Sequence, residues 1–295
     1  MYDRILVPTD GTETAHTAVE HALSVAERHD AEVVPIYVAD VNGGIPVETG
    51  ERHDIIEEFE SKGREATREV VEEAEENGVE ARPVVRTGVA HEEILDYAAG
   101  NDVDLIAMGT SAKSGRERFI LGSTTERVVR RSDVPVMTVR NGVGVGAESE
   151  RNRIEEPPSY DSVLVPTDGS DEARDAAEHG MGMAKKYGAR LHVVYVVDTE
   201  LSQNADLPRS IVGGLKQGGE KSLEELRETA DSEGLSVTTA LREGTPYDEI
   251  LDYAESHDVD IVTMGSHGGS SSGVMLGSTT RKMIETSDVP VITVR

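Results

Sequence analysis

An internal duplication restricts how this chain can fold more than any other feature of its sequence. Four segments of the first half recur in the same order in the second half. They are residues 2–11, 93–98, 121–125 and 132–136, which match residues 160–169, 249–254, 276–280 and 287–291. The offset between matching residues shrinks from 158 to 155, so the second copy is three residues shorter. Solenoid repeats have periods of roughly 20–50 residues, so a period this long indicates two copies of one domain.

The segment between the two copies has the composition of a linker. It begins with alternating glycine, continues with charged residues and ends in two prolines. Such a stretch has no apolar periodicity and is typical of a flexible connector. We therefore predict a first domain over residues 1–141, a linker over 142–158 and a second domain over 159–295.

Within each copy, short apolar runs alternate with helical patterns. In the first copy the predicted strands are 5–9, 32–39, 81–87, 104–108 and 135–140, and the predicted helices are 12–29, 55–77, 92–99 and 123–131. Continuous apolar strands indicate burial on both faces, and alternation of strand and helix predicts a parallel sheet. The predicted fold class is α/β, with two tandem flavodoxin-like or Rossmann-like domains, each a five-stranded parallel sheet with helices on both faces. Ligands of such sheets bind beyond the carboxyl ends of the strands.

The charge balance excludes some functions and suggests an environment. The chain has 57 acidic and 29 basic residues, a net charge of −28, and only seven of the basic residues are lysines. Nucleic-acid phosphates would be repelled by such a surface, so we expect no nucleic-acid partner. Acidic excess with scarce lysine is typical of a halophilic protein. The rival explanation, a disordered acidic tail, is disfavoured because the acidic residues are spread over helical segments.

Composition removes further classes of function. There is no cysteine, which excludes disulfides, thiolate metal sites and cysteine nucleophiles. No apolar run reaches the roughly 18 residues of a membrane span. The first residues run directly into a strand pattern without the features of a signal peptide, so we expect a cytoplasmic location and no membrane partner.

Two glycine- and serine-rich segments could hold phosphate groups. They are residues 108–124 and 264–279, each a strand end, a loop and a helix start. Glycine lets backbone N–H groups approach a phosphate, and a helix N-terminus adds donors and positive partial charge. Their spacing fits neither a Walker loop nor the dinucleotide fingerprint. The alternative is a loop closed by a capping box of Ser123 and Glu126. Arg281 replaces that glutamate in the second copy, which favours a bound anion.

Two other positions have competing interpretations. Asp10 either caps the following helix with Gly11 and Thr12 or accepts hydrogen bonds from a ribose or a base. His91 could act as an acid or base, but a solvent-facing histidine at a helix start is the preferred interpretation. The histidines have no spacing diagnostic of a metal site, so we predict none.

Taken together, these segments resemble the universal stress protein family, as a tandem two-domain member of its ATP-binding subgroup. That subgroup carries Gly-x2-Gly-x9-Gly-Ser/Thr after strand four, an aspartate after strand one and a valine near the end of strand two. The resemblance implies that the aspartate and valine positions hold ribose and adenine, and that the loop surrounds the phosphates of ATP, ADP or AMP, on which Mg²⁺ can arrive. The nucleotide-binding positions that it implies are Pro8, Asp10, Val38, Met108, Gly109, Ala112, Gly122, Ser123 and Thr124 in the first copy and Pro166, Asp168, Val196, Met264, Gly265, Gly268, Gly277, Ser278 and Thr279 in the second.

Both copies depart from the family pattern. In the first copy Ala112 stands where the second glycine belongs, and its β-carbon would crowd the phosphates. In the second copy Gly268 is present, but only eight residues separate it from Gly277. The sequence leaves open which copy binds nucleotide, with a slight preference for the second. In the first copy, compensation by charge could come from Lys113, Arg116 and Arg118.

The function that the resemblance implies is that of an ATP-binding stress-response protein with little or no turnover, and we predict no catalytic residue. One alternative is a regulatory interaction module with degenerate pockets. The other is a slow ATPase, for which His267 or Asp168 is the candidate base. The last strand of each copy, from Pro135 to Arg140 and from Pro290 to Arg295, is apolar and is predicted to lie at a sheet edge. We expect these strands to pair the copies as an internal pseudo-dimer, and two chains could associate further as a homodimer.

Overall fold

The chain divides into two compact units in a computed structural model, Met1–Pro158 and Ser159–Arg295. The structure describes residues 1–40, 51–110, 121–140, 158–199, 209–267 and 275–295. Nearly all of the predicted linker lies outside these residues, so its bounds stay a prediction. None of the helices in the described ranges combines the length and apolar composition that a membrane span needs.

The first unit is a parallel sheet in which strands alternate with helices. Its elements are β1 (Arg4–Pro8), α1 (Glu13–His29), β2 (Glu32–Ala39), α2 (Glu51–Glu76), β3 (Val84–Thr87), α3 (Ala90–Gly100), β4 (Leu105–Gly109), α4 (Ser123–Arg131) and β5 (Val136–Val139). The strand order is β3-β2-β1-β4-β5, and all of these pairs are parallel. The predicted fold class is therefore confirmed for this copy.

The second unit repeats this architecture. Its elements are β6 (Ser162–Thr167), α5 (Asp171–Tyr187), β7 (Arg190–Asp198), α6 (Arg209–Ser232), β8 (Val237–Gly244), α7 (Pro246–Ser256), β9 (Ile261–Gly265), α8 (Ser278–Thr286) and β10 (Val291–Val294). Its strand order is β8-β7-β6-β9-β10, again with parallel pairs. The second copy therefore has the predicted fold class as well.

The core of each unit lies around its central strands. In β1 the side chains of Ile5, Leu6 and Val7 have no exposed surface, and in β6 the same holds for Val163 and Leu164. Burial on both faces explains why these strands are continuously apolar rather than alternating. In each unit the third and fourth helices pack against each other, and the first two helices pack on the sheet.

The strand order places one crevice in each unit. The chain goes from β1 to β2 and β3 on one side, and then returns to β4 on the other side of β1. The carboxyl ends of β1 and β4 are therefore neighbours, and the segments that follow them leave in opposite directions along the sheet. The crevice between these two strand ends is the switch point, where such sheets bind ligands. In the second unit the switch point lies between β6 and β9.

Candidate functional site

In the turn after β1, Asp10 holds the residue that caps the first helix. Its Oδ1 accepts hydrogen bonds from the Thr12 backbone nitrogen at 3.0 Å and from the Thr12 hydroxyl at 2.6 Å. Thr12 is the N-cap of α1, and its hydroxyl oxygen accepts from the Ala15 backbone nitrogen at 3.4 Å. Gly11 between them has φ +77°, a conformation that favours glycine. The capping interpretation of Asp10 is therefore confirmed, although the side chain stays exposed.

The second unit builds the same turn. The Asp168 Oδ1 accepts from the Ser170 backbone nitrogen at 3.0 Å and from its hydroxyl at 2.5 Å. Ser170 is the N-cap of α5 and accepts from the Ala173 nitrogen at 3.2 Å, while Gly169 has φ +81°. The two copies therefore have the same turn and the same helix cap after their first strands.

The alternative interpretation of the start of α4, a capping box of Ser123 and Glu126, is wrong. The N-cap is Gly122, with φ −62° and ψ 142°, and Ser123 is already the first helical residue. Among the described residues, no side chain caps this helix or α8, whose N-cap is Gly277. The first N–H groups of a helix have no partner inside the helix, so both helix starts can donate to an anion.

Matching hydrogen bonds join the two described ends of the glycine- and serine-rich segment in each unit. The Gly122 nitrogen donates to the Thr110 carbonyl at 2.7 Å, and the Thr125 hydroxyl donates to the Gly109 carbonyl at 2.8 Å. In the second unit, Gly277 donates to Ser266 at 3.0 Å, and Thr280 donates to Gly265 at 2.9 Å. Sequence reasoning missed the two threonines. The signal was available, because Gly-Ser-Thr-Thr occurs in both copies.

These elements surround a cavity of about 390 Å³ in the first unit. Small-molecule sites usually measure roughly 300–1,000 Å³, so this volume suits a ligand of nucleotide size. All of the described first-copy positions predicted for nucleotide line this cavity: Pro8, Asp10, Val38, Met108, Gly109, Gly122, Ser123 and Thr124. Ala112 lies outside the described residues, as do Lys113, Arg116 and Arg118.

The cavity has further lining residues that the sequence did not predict. They are Thr9, Thr12, Thr14, Ala15, Ile36, Tyr37, Ala90, Ile94 and Thr125. Ala90 and Ile94 belong to α3, and together with Ile36 and Val38 they give the cavity apolar surface. The start of α4 adds backbone donors and hydroxyls to the lining. The lining is therefore amphipathic, because it combines apolar side chains with groups that can donate to an anion.

The predicted positions of the second copy lie on the equivalent elements. Pro166 lies in β6, Asp168 follows it, and Val196 lies in β7. Met264 and Gly265 end β9, and the start of α8 contributes Gly277, Ser278 and Thr279. Gly268 lies outside the described residues. The strand order brings the ends of β6 and β9 side by side, as in the first unit.

Two histidines have surroundings that bear on the alternatives. The prediction that His91 faces solvent is wrong, because it is 6% exposed and its Nε2 lies 3.4 Å from Arg131 Nη1. Burial, followed by the charge of Arg127, lowers the pKa of His91, so its neutral form is favoured. His267 is also buried, and its Nδ1 lies 2.7 Å from the Ser266 hydroxyl.

Among the residues that the structure describes, no group of three or more histidine, aspartate or glutamate side chains is placed to hold a metal ion.

Comparison with known proteins agrees with the fold and the duplication. The model of the universal stress protein family matches residues 1–140 and 159–295. Two universal stress proteins of Methanocaldococcus jannaschii are 41% and 30% identical over 142 and 155 residues, each over 48% of this chain and over 83% and 96% of their own lengths. A universal stress protein from Archaeoglobus fulgidus of known crystal structure is similar over 99% of this chain and 98% of that one, with a TM-score of 0.77 and 26% identity.

Proposed function

The chain belongs to the universal stress protein family, and on that premise we propose that it is an adenine-nucleotide-binding stress-response protein that hydrolyses nucleotide slowly or not at all. Its ligand would be ATP, ADP or AMP, with Mg²⁺ carried by the phosphate oxygens. The two units are candidate sites, and the first is the better supported of the two.

The observation that carries this proposal is the amphipathic cavity at the switch point of the first unit. Gly122 begins α4 without a side-chain cap, so the helix offers free N–H groups and positive partial charge. Val38 and Ile94 line the same cavity and contribute apolar surface suited to a flat ring. A ligand with an anionic end and an aromatic end suits this mixed lining, and adenine nucleotides have this form.

The places of the first-unit residues in the cavity support proposed roles for them. We assign the ribose to the exposed carboxylate of Asp10, the adenine to Val38 and its apolar neighbours, and the phosphates to the backbone around Gly109 and Gly122. In the second unit the corresponding assignments are Asp168, Val196, Gly265 and Gly277. Ser123, Thr124, Ser278 and Thr279 would donate to phosphate oxygens from the first helical turns.

The proposal of slow turnover is supported by the single acidic side chain among the described residues that line the cavity. Of the described residues that line it, Asp10 alone is acidic, and its Oδ1 is held by Thr12. A general base must be free to accept a proton from the attacking water. Asp10 is better placed to orient a ligand than to activate water.

The test is to identify what the purified protein binds. Mass spectrometry of small molecules released from protein purified without added nucleotide should detect an adenine nucleotide. Thermal unfolding in high salt should shift upward with ATP, ADP or AMP, because a ligand that binds only the folded state stabilises it. Phosphate release should stay close to that of a blank, because we propose little or no turnover. Protein without nucleotide or shift would instead favour the interaction module, and steady phosphate release would favour the slow ATPase.

A further inference from the structure

The second helix of each unit has a glycine at the same place, with the same packing role. Gly63 in α2 and Gly219 in α6 lie 156 residues apart. A Cβ at Gly63 would lie 2.5 Å from Tyr37 Cδ1, and a Cβ at Gly219 would lie 2.5 Å from Tyr195 Cδ1. Both tyrosines belong to the second strand of their unit. These contacts align α2 with α6 and show that each glycine lets its helix lie close to the sheet.

Three other glycines of α6 have no such role. They are Gly213, Gly214 and Gly218, and a Cβ added at any of them would meet nothing within 4 Å. Packing therefore does not require glycine at these places. Glycine loses more backbone entropy in a helix than other residues and is a poor helix former. The helix has this cost here without a contact that only glycine permits.

The matching residues of α2 are good helix formers. With the same offset of 156 they are Glu57, Glu58 and Lys62. Lys62 Nζ lies 2.7 Å from Glu58 Oε1 and 5.6 Å from the centroid of the Phe59 ring. A glutamate four residues before a lysine is the favourable order of charges on a helix. The sequence therefore favours helix in this part of α2 more strongly than in the matching part of α6.

The glycine-rich part of α6 is also weakly attached to the sheet. Of the described ion pairs, one joins it to a strand: Lys216 Nζ lies 2.6 Å from Glu243 Oε1 in β8. These side chains are 39% and 47% exposed, and ion pairs as exposed as this one contribute little to stability. Leu215, next to the lysine, is 40% exposed and adds little apolar burial. The pair of Lys216 and Glu243 is the contact that holds this part of the helix closed.

We infer that α6 contains a latch, Gly213–Gly218, that opens by local unfolding from the N-terminal end of the helix while the rest of the second unit stays folded. The opening stops at Gly219, which lies against Tyr195 in β7. Beyond it, Leu223 and Ala230 are buried and hold the remainder of α6 on the unit. Local openings of this kind require far less free energy than global unfolding. The inference does not depend on which ligand the chain binds.

Hydrogen exchange of the full-length chain, measured by mass spectrometry, compares the latch with residues 57–62 of α2. Relative to a charged helix former, a glycine shifts the local equilibrium toward the open form by roughly threefold, so three glycines shift it by about thirtyfold. Amides of the latch, corrected for their intrinsic rates, should therefore be protected about thirtyfold less than those of residues 57–62. Peptides covering residues 223–230 should keep strong protection, because the opening stops at Gly219.

Exchange of residues between the two copies tests the cause. One variant gives the latch the residues of α2: Gly213→Glu, Gly214→Glu and Gly218→Lys. The reciprocal variant gives α2 the glycines of the latch: Glu57→Gly, Glu58→Gly and Lys62→Gly. The first should raise the protection of residues 213–218 by about thirtyfold, and the second should lower that of residues 57–62 by a similar factor.

A single substitution tests the closing contact. Lys216→Gln keeps a good helix former but removes the ion pair with Glu243, so protection of the latch should fall by about threefold. The matched control is Lys221→Gln, because Lys221 pairs at 3.3 Å with Glu225 in the same helix beyond Gly219. The control should leave the exchange of the latch unchanged.

Three outcomes would overturn the inference. The first is equal protection of residues 213–218 and 57–62 in the unaltered chain. The second is exchange of residues 223–230 at the rate of the latch, because α6 would then open as a whole. The third is that neither exchange of residues between the copies changes the protection of its segment. Equal effects of Lys216→Gln and Lys221→Gln would overturn the assignment of the closing contact.

Discussion

Gly109 is needed for packing as well as for the candidate site. It ends β4, and a Cβ at this position would lie 2.8 Å from both the carbonyl oxygen and Cγ2 of Thr14. Side chains do not approach backbone atoms this closely without a shift of the structure. The first turn of α1 can therefore reach the strand end only because residue 109 has no side chain.

Replacing this glycine tests the close approach. Gly109→Ala should destabilise the first unit by about 1–3 kcal/mol, because the new methyl group must push α1 away from β4. Any rise in unfolding temperature caused by ATP at the first site should shrink as well. The matched control is Gly100→Ala at the end of α3, where an added Cβ meets nothing within 4 Å. A Gly109→Ala protein that unfolds at the wild-type temperature would contradict the steric argument.

His192 is a buried titratable residue that the first copy lacks. It is 4% exposed, and its Nδ1 lies 2.9 Å from the hydroxyl oxygen of Tyr253. The Tyr253 ring stacks on the His257 ring, with 3.9 Å between the ring centroids. The first copy has Val34 at the position of His192. Burial, followed by the charges of His257 and Arg190, lowers the pKa of His192 from 6.5. The folded second unit therefore favours the neutral imidazole.

This lowered pKa makes the second unit sensitive to acid. The unfolded chain binds a proton at His192 near pH 6.5, whereas the folded chain resists it, so stability is lost as the pH falls below about 6.5. Replacing the residue by the one found in the first copy, His192→Val, should reduce the drop in unfolding temperature between pH 7.5 and pH 5.5. His257→Asn should keep most of the drop, because burial is the larger cause of the shift. Equal drops in wild type and His192→Val would contradict the prediction.

At the level of elements, hydrophobic pattern predicted the alternation of strands and helices but not every boundary. The predicted strand over 81–87 begins only at Val84, and Ala81 forms an isolated bridge to Val33. Pro83 between them has no N–H to donate to the sheet, which accounts for the interruption. Helix α4 spans the predicted residues 123–131. The capping-box alternative failed because a local side-chain pattern does not reveal backbone geometry.

The candidate site was predicted as far as short motifs reach. Residues at strand ends and at the start of α4 follow from the order of elements, so the glycine and hydroxyl positions were expected. Ala90 and Ile94 line the cavity because α3 packs against β2 and α4. A local sequence pattern does not reveal such contacts between elements. The burial of His91 has the same origin, since it depends on contact between α3 and α4.

The threonine hydrogen bond between α4 and β4 gives a test at this scale. Thr125→Val keeps the shape of the side chain but leaves the Gly109 carbonyl without its 2.8 Å donor. An unsatisfied buried acceptor costs about 1–3 kcal/mol, so the unfolding temperature should fall. Thr229→Val is the control, because that hydroxyl bonds within α6 to Glu225 and is exposed. An equal effect of the two changes would show that the bond to β4 has no special importance.

For the whole molecule, the net charge of −28 is the dominant property. Carboxylates on a folded surface repel one another, and this repulsion opposes the compact state unless ions screen it. The many exposed ion pairs of the helices contribute little each. The halophilic interpretation is therefore a statement about conditions under which the fold is stable.

That interpretation predicts a strong dependence of stability on salt. The unfolding temperature should rise steadily as KCl increases from about 0.1 M to about 2 M. At high salt, ions screen the repulsion between carboxylates that lie more than a few ångströms apart. Sucrose at matched osmolality is the control, since it stabilises by exclusion and does not screen charge. A flat response to KCl would contradict the interpretation, and an equal response to sucrose would show that screening is not the cause.

If both copies bind a ligand, the duplication affects the range of ligand concentration over which the chain is filled. Two identical subunits are encoded once, so every substitution alters both pockets together. Covalent duplication removes that constraint. Thr14 and Glu172, for example, occupy matching positions of the two copies and differ in charge. Pockets with different midpoints fill one after the other, which spreads the dose–response curve over a wider range of concentrations than a matched pair covers. Covalent duplication therefore allows one chain to carry two sites of unequal affinity in a fixed one-to-one ratio.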